Sequence, residues 1–191
     1  MVPYESSLER DLCYLLEFDR AVRCYEAQPV EIRYERPDGR RVRGFPDFRV
    51  VFSAESGRSA EILDVKYRAE IRERWAELKP RFRAACRYAR ERGEIYRLQT
   101  DTEIRVPSLV RAKFLYRYLN TPPDERALVA FRTTLHAHRR TTPEALLQLC
   151  FSRDAERAGA LPTLWSMVAN GAIGADPERP LTMQSLLWLV G

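Results

Sequence analysis

Three acids and one lysine have types and spacings that could do chemistry. Pro46-Asp47 opens an apolar run, and Asp64-Val65-Lys66 stands seventeen residues further on, at the end of Ile62-Leu63. In a strand, alternation puts Asp64 and Lys66 on the same face. If the strands carrying Asp47 and Asp64 pair as a hairpin, the two carboxylates lie side by side. Carboxylates that close repel, and in a pocket one of them would keep a proton at neutral pH. A divalent cation removes that cost, so the pair reads as a site for a hard ion, Mg²⁺ or Mn²⁺ in its place. Lys66 beside it could deprotonate a water and stabilise charge on a phosphate. Glu9, on a preceding helix, would complete the cluster as a further metal or water ligand. Taken singly, each short motif also fits a solvent-facing ion pair or a turn. Their coincidence in an apolar strand favours chemistry, because unpaired charge is costly to bury.

The remaining composition narrows the choice. The histidines are His136 and His138, and the cysteines Cys13, Cys24, Cys86 and Cys150 form no C-x-x-C pair. That argues against histidine-based hydrolysis, a zinc site or a disulfide framework, and the thiols read as reduced and buried. Net charge is +5, with 32 Lys and Arg against 27 Asp and Glu. Lysine occurs only at 66, 79 and 113, so nearly all of the basic charge is arginine. Residues 66–92 hold a local basic surplus, either a solvated helix face or a footprint for nucleic acid. Lys79, Arg81, Arg83 and Arg87 accordingly either track a DNA backbone or face solvent. Gln28 either positions a phosphate or satisfies backbone groups at a strand start. Trp75, Trp165 and Trp188 read as core. No stretch is apolar for long enough to span a membrane, and the first residues carry no signal-peptide pattern, so a cytoplasmic location is expected.

The elements that must position these residues can be read in outline. Ser6 or Ser7 can cap a helix starting at Leu8, with Leu8, Leu12, Leu15 and Leu16 on one face. Gln28–Arg36 alternates as a strand and turns at Pro37-Asp38-Gly39. Arg40–Phe52 reads as a second strand, interrupted near Gly44 and Pro46, and Ala60–Tyr67 as a third. Residues 69–92 have a helical apolar stripe in which Pro80 predicts a kink or a break. Glu94–Thr100 is a fourth strand. After Pro107 the pattern becomes helical: Leu109–Leu119, Asp124–Ala137, Thr142–Phe151 and Leu161–Asn170. A hairpin between Ala172-Ile173 and Leu181-Thr182-Met183, around residues 176–180, then suggests a winged-helix module. The fold class is therefore α/β: a mixed sheet flanked by helices over residues 1–105, followed by a mainly helical, winged-helix domain over 106–191.

Pro46-Asp47 with Asp64-x-Lys66 is similar to the PD-(D/E)xK nuclease signature. Around it, Tyr4-Glu5-Ser6-Ser7-Leu8-Glu9-Arg10-Asp11, Tyr25-Glu26-Ala27-Gln28-Pro29-Val30, Phe45-Pro46-Asp47-Phe48 and Thr100-Asp101-Thr102-Glu103-Ile104-Arg105 resemble the TnsA family, endonuclease subunits of heteromeric cut-and-paste transposases. The resemblance covers residues 4–105. It implies a restriction-endonuclease-like fold, two Mg²⁺ ions and cleavage at the 5′ ends of a transposon. It also implies an integrase-type transposase partner and a AAA+ ATPase regulator in a bacterial cytoplasm. Glu9, Asp47, Asp64 and Lys66 would match the family's catalytic positions, and the Val65 carbonyl would add a metal ligand. Asp64 stands where members often carry Gln or Glu. Two other readings fit the same residues: a stand-alone nuclease of repair, junction resolution or restriction, and a catalytically silent DNA- or protein-binding subunit.

Overall fold

A computed structural model of the chain describes residues 2–177 and 179–190. Two compact units divide between Val106 and Pro107.

In the first unit, helix α1 (Ser7–Phe18) begins where Ser6, in extended backbone, accepts the Glu9 N–H on its hydroxyl. Strands β1 (Val22–Ala27), β2 (Ile32–Glu35), β3 (Arg41–Gly44), β4 (Phe48–Phe52) and β5 (Glu61–Val65) follow, with a short 3₁₀ turn at Ala54–Ser56. Helices α2 (Arg68–Glu73) and α3 (Trp75–Glu91) then lead to β6 (Ile95–Gln99) and α4 (Asp101–Ile104). The main sheet has the order β1-β4-β5-β6. β1, β4 and β5 run antiparallel in sequence, and β6 joins β5 in parallel after the helical crossover. β2 and β3 form a separate antiparallel ribbon. The mixed sheet with flanking helices fits a restriction-endonuclease-like fold.

The core has two sides. On one, Leu8, Leu12 and Leu16 of α1 meet Phe48, Val50, Leu63, Val65 and Ile104. On the other, Ala84 and Ala85 of α3 pack on Ile32, beside Tyr34, Tyr88 and Tyr96. Alternation along β5 gives Leu63 and Val65 to the α1 side and Ile62 and Asp64 to the α3 side. Every residue of β5 is buried, so the central strand carries a carboxylate into the interior.

Several elements differ from the sequence expectation. The first strand of the main sheet is β1, which alternation does not announce because its residues are largely half-exposed at a sheet edge. Of Gln28–Arg36 only Ile32–Glu35 is strand. The long second strand splits into β3 and β4 at Phe45-Pro46-Asp47, where proline cannot donate to a ladder. The helical stretch breaks at Arg74 rather than Pro80. Pro80 lies inside α3, which runs unbroken from Trp75 to Glu91.

The second unit holds α5 (Pro107–Tyr116), α6 (Glu125–His138), β7 (Arg140–Thr141), α7 (Pro143–Cys150), α8 (Asp154–Ala169), β8 (Ile173–Ala175) and β9 (Leu187–Leu189). Thr142 caps α7 by accepting the Ala145 N–H, with Pro143 in the first turn. Leu146, Phe131, Leu135, Leu164 and Trp165 are buried. The three short strands form an antiparallel sheet of order β7-β9-β8. The returning strand is thus Leu187–Leu189, not Leu181–Met183, and Glu178 of the intervening loop lies outside the described residues. Trp75, expected in the core, is 47% exposed; it opens α3 and touches Phe82 only from the helix start. Cys24 is exposed, not buried, and all four cysteines are free. No helix among the described residues is long and apolar enough to cross a membrane.

Gly174 faces Trp188 across β8 and β9. A Cβ there would meet the indole Nε1 at 2.5 Å. Gly174→Ala should therefore destabilise the second unit by roughly 1–3 kcal/mol through overpacking, read as a lower denaturant midpoint in the transition reported by tryptophan fluorescence.

Candidate active site

The break between β3 and β4 aims Asp47 across the sheet. Its N–H donates to the Leu63 carbonyl (2.9 Å), and its carbonyl accepts the Gln28 N–H (3.0 Å). Its Oδ2 accepts the Val65 N–H at 2.6 Å and lies 3.5 Å from Lys66 Nζ. Lys66 also donates from Nζ to the Val65 carbonyl, 3.0 Å away. Asp47, Val65 and Lys66 therefore converge at the end of β5.

Asp64 joins them through an arginine. Its side chain has no solvent exposure. Oδ1 accepts a charged hydrogen bond from Arg81 Nη2, and Oδ2 accepts the Tyr96 hydroxyl at 2.9 Å. The same Nη2 lies 3.4 Å from Asp47 Oδ1 and donates to the Phe45 carbonyl at 2.7 Å. One cationic nitrogen thus stands between the two carboxylates, and both acids serve the same side of the sheet. Burial pushes the Asp64 carboxyl above the usual carboxylate range, and the nearby Asp47 charge adds to this, while Arg81 opposes it. Burial works against the Arg81 charge as well, but Asp64 and Asp47 outweigh it. The Tyr96 hydroxyl is driven upward by burial and then by Asp64, so it remains a donor.

Glu9 is placed differently from the expectation. Its carboxylate accepts the Glu5 N–H (2.8 Å) and the Ser6 hydroxyl (2.9 Å), the reciprocal half of a Ser-x-x-Glu capping arrangement. Among the described residues, no three His, Cys, Asp or Glu side chains stand together as a metal-holding group. Glu9 caps α1 and does not join Asp47 and Asp64 in such a cluster.

The four basic residues of α3 singled out from the sequence also separate. Arg81 is a member of the site: its side chain is only 18% exposed and is bound to the two acids. Lys79 is half-buried with its ammonium over the Trp75 ring. Arg83 and Arg87 are exposed, and Arg87 lines a cleft of about 990 Å³ with Arg33, Arg36, Arg41 and Arg43 of the β2–β3 ribbon. Gln28 donates its side-chain amide to Glu5 (2.6 Å). Its backbone, at φ 48°, occupies the left-handed region that non-glycine residues seldom adopt. Strain of this kind persists where the surroundings impose it. Here the strained residue's N–H holds the Asp47 carbonyl.

Tyr96 and the Phe45 carbonyl are members of the site that sequence spacing did not indicate. Tyr96 reaches Asp64 because β6 joins β5 in parallel with Ile62 opposite Tyr96, a register that no local pattern encodes. The Pro80-to-Phe82 turn of α3, which carries Arg81, showed only as helical charge.

Residues 19–101 match the family of TnsA-like endonuclease N-terminal domains. No curated protein matches the chain. The matched span includes Asp47, Asp64, Lys66, Arg81 and Tyr96.

Asp64 holds two buried partners, so its removal is not neutral to folding. Asp64→Ala leaves Arg81 and Tyr96 short of an acceptor and should cost roughly 2–4 kcal/mol, by the penalty for breaking a buried ion pair. Asp64→Asn, which keeps an acceptor oxygen for Arg81, should lose less. Equal denaturant midpoints for wild type and Asp64→Ala would show that the contact carries no stability.

Proposed function

We propose that the chain, whose residues 19–101 match the TnsA-like endonuclease N-terminal domain family, is a metal-dependent DNA endonuclease that cuts the 5′ ends of a transposon. The observation that carries this reading is the convergence of Asp47, Asp64 and Lys66 on one side of the sheet, bridged by a single cationic nitrogen.

The donor set fits a hard divalent cation. Two carboxylates and the Val65 carbonyl supply oxygen only, and the pair is already arranged around positive charge. Mg²⁺ or Mn²⁺ held by Asp47, Asp64 and the Val65 carbonyl would supply Lewis-acid activation of water and of the scissile phosphate. The protein's own groups do the rest. Asp47 is fixed by three backbone hydrogen bonds, to Leu63, Val65 and Gln28. Lys66 is tethered by Val65 and Asp47, which keeps its ammonium beside the place where phosphate charge grows. Glu9 anchors the start of α1.

The ribbon offers a surface for duplex DNA. Arg33 and Arg43 are directly opposed across β2 and β3, with side chains 86% and 74% exposed. Like charges directly opposite each other are unfavourable, and Glu31 pairs with both, at 3.2 and 3.6 Å. Phosphate would relieve that repulsion. The ribbon leads through Gly44-Phe45-Pro46 into Asp47, so contacts on it register DNA against the acids. In the second unit, the order α6, α7, α8 and the β8–β9 hairpin, with β7 as a third strand, supports a winged-helix reading. Its role would be docking to an integrase-type transposase and a AAA+ regulator, which bring the nuclease to its ends.

The test is cleavage of a transposon-end duplex with Mg²⁺ and the partner proteins. Lys66→Ala should cut at least about 100-fold more slowly while duplex affinity stays within about twofold. Unchanged cleavage would make Lys66 an ion-pair partner of Asp47 and nothing more. Arg33→Ala with Arg43→Ala should weaken duplex binding and reduce the salt slope by about two. An unaltered slope would remove the ribbon from the interface.

A further inference from the structure

Two acidic and two basic side chains already meet at the site. Asp47 and Asp64 face Lys66 and Arg81, and each acid touches at least one of these basic side chains. Both Asp64 oxygens accept from donors, Arg81 and Tyr96. A dication entering this arrangement would add two positive charges next to the Arg81 guanidinium, beside an acid with no solvent exposure. Charge of one sign collected in a poorly solvated site is strongly unfavourable. Something must therefore leave or be neutralised when the metal binds.

Arg81 is the group built to leave. Its Nη2 is shared among three acceptors, Asp64, Asp47 and the Phe45 carbonyl. Its Nε is buried without a hydrogen-bond partner, so the guanidinium is not fully satisfied where it lies. The stem runs along Gly44: a Cβ there would come within 3.7 Å of Arg81 Cδ and 3.1 Å of Tyr34 Cε1. Gly44 is also the last residue of the ribbon that leads into Asp47. A guanidinium offers a planar fork that suits phosphate oxygens as well as carboxylates.

Resting on the metal-dependent nuclease reading, we infer that Arg81 is an internal counter-ion that occupies the cation position between Asp47 and Asp64 and exchanges it for a DNA phosphate when the divalent metal enters. Before substrate arrives, Arg81 keeps the two carboxylates together. With DNA in place, the phosphate supplies negative charge and a new partner for the fork, and the carboxylates are released to the metal. Metal binding and DNA binding then favour each other, as reciprocal linkage requires. The nuclease is held idle away from DNA by one of its own side chains. Lys66 differs in kind, because its ammonium lies on the Val65 carbonyl and not between the acids.

The experiment measures Mn²⁺ affinity of the full-length chain by loss of the free-ion electron paramagnetic resonance signal, with and without a phosphorothioate duplex that resists cutting. In the wild type, duplex should tighten Mn²⁺ binding by about tenfold or more, within the usual range of coupling between sites. Arg81→Gln should bind Mn²⁺ about tenfold more tightly than wild type without DNA, and most of the DNA effect should disappear. Arg81→Lys, which keeps the charge without the fork, should stay close to wild type without DNA and provides a folded comparison, with circular dichroism melts run on each variant. Equal Mn²⁺ affinity in wild type and Arg81→Gln, with equal coupling to duplex, would overturn the inference and leave the nuclease reading in place. Absence of Mn²⁺ binding in every protein, with or without duplex, would instead overturn the metal-dependent reading and this inference with it.

Discussion

The constraint on which the first unit depends is a carboxylate buried in the middle of its central strand. β5 is covered on both faces, and a strand in that position is ordinarily apolar throughout. Asp64 breaks the run, and its charge is tolerable only because Arg81 and Tyr96 reach it from α3 and β6. The crossover helix and the parallel strand are therefore more than packing. They deliver the two donors that make the central acid possible. Remove either donor and the strand keeps a charge with too little to hold it.

The neighbouring acid is handled in another way. Asp47 sits in a strand break that Pro46 imposes, and backbone groups of three segments fix it: Leu63, Val65 and a strained Gln28. The break does two things. It ends the pairing of the ribbon with the rest of the sheet, so β2 and β3 stand apart with Arg33 and Arg43 outward. It also turns the Phe45 carbonyl toward Arg81. Site and ribbon thus share one piece of backbone.

The second unit is organised by helix packing, with a small sheet at its end. Arg111, half-buried in α5, donates to the carbonyls of Ala175 and Asp176, tying the first helix of this unit to the end of β8. Trp188 lies over Gly174, where the lack of a side chain leaves room for the indole. These contacts give the unit its own core independent of the chemistry in the first.

The sequence by itself determined the chemical alphabet of the site. Pro46-Asp47 and Asp64-Val65-Lys66 were legible because alternation places Asp64 and Lys66 on one face, and because charge within an apolar strand needs a cause. Capping signals were equally local: Ser6 with Glu9, and Thr142 with Pro143, involve residues a few positions apart. The helical tail after Pro107 was legible for the same reason. What the tertiary structure alone decided is which groups meet across long separations. The edge strand β1 carries no clear alternation, because its inner side is only half-buried against the core. The hairpin partner of β8 lay further along the chain than its turn residues suggested. Tyr96 reaches Asp64 through the register of a parallel pair, and Arg81 through the rotation of α3 over the sheet. Neither follows from spacing, since each depends on how whole elements dock. For the same reason Arg81 read as one more cation on a basic helix, although it sits between the two acids, and Glu9 read as a ligand, although its carboxylate is engaged by the start of its own helix.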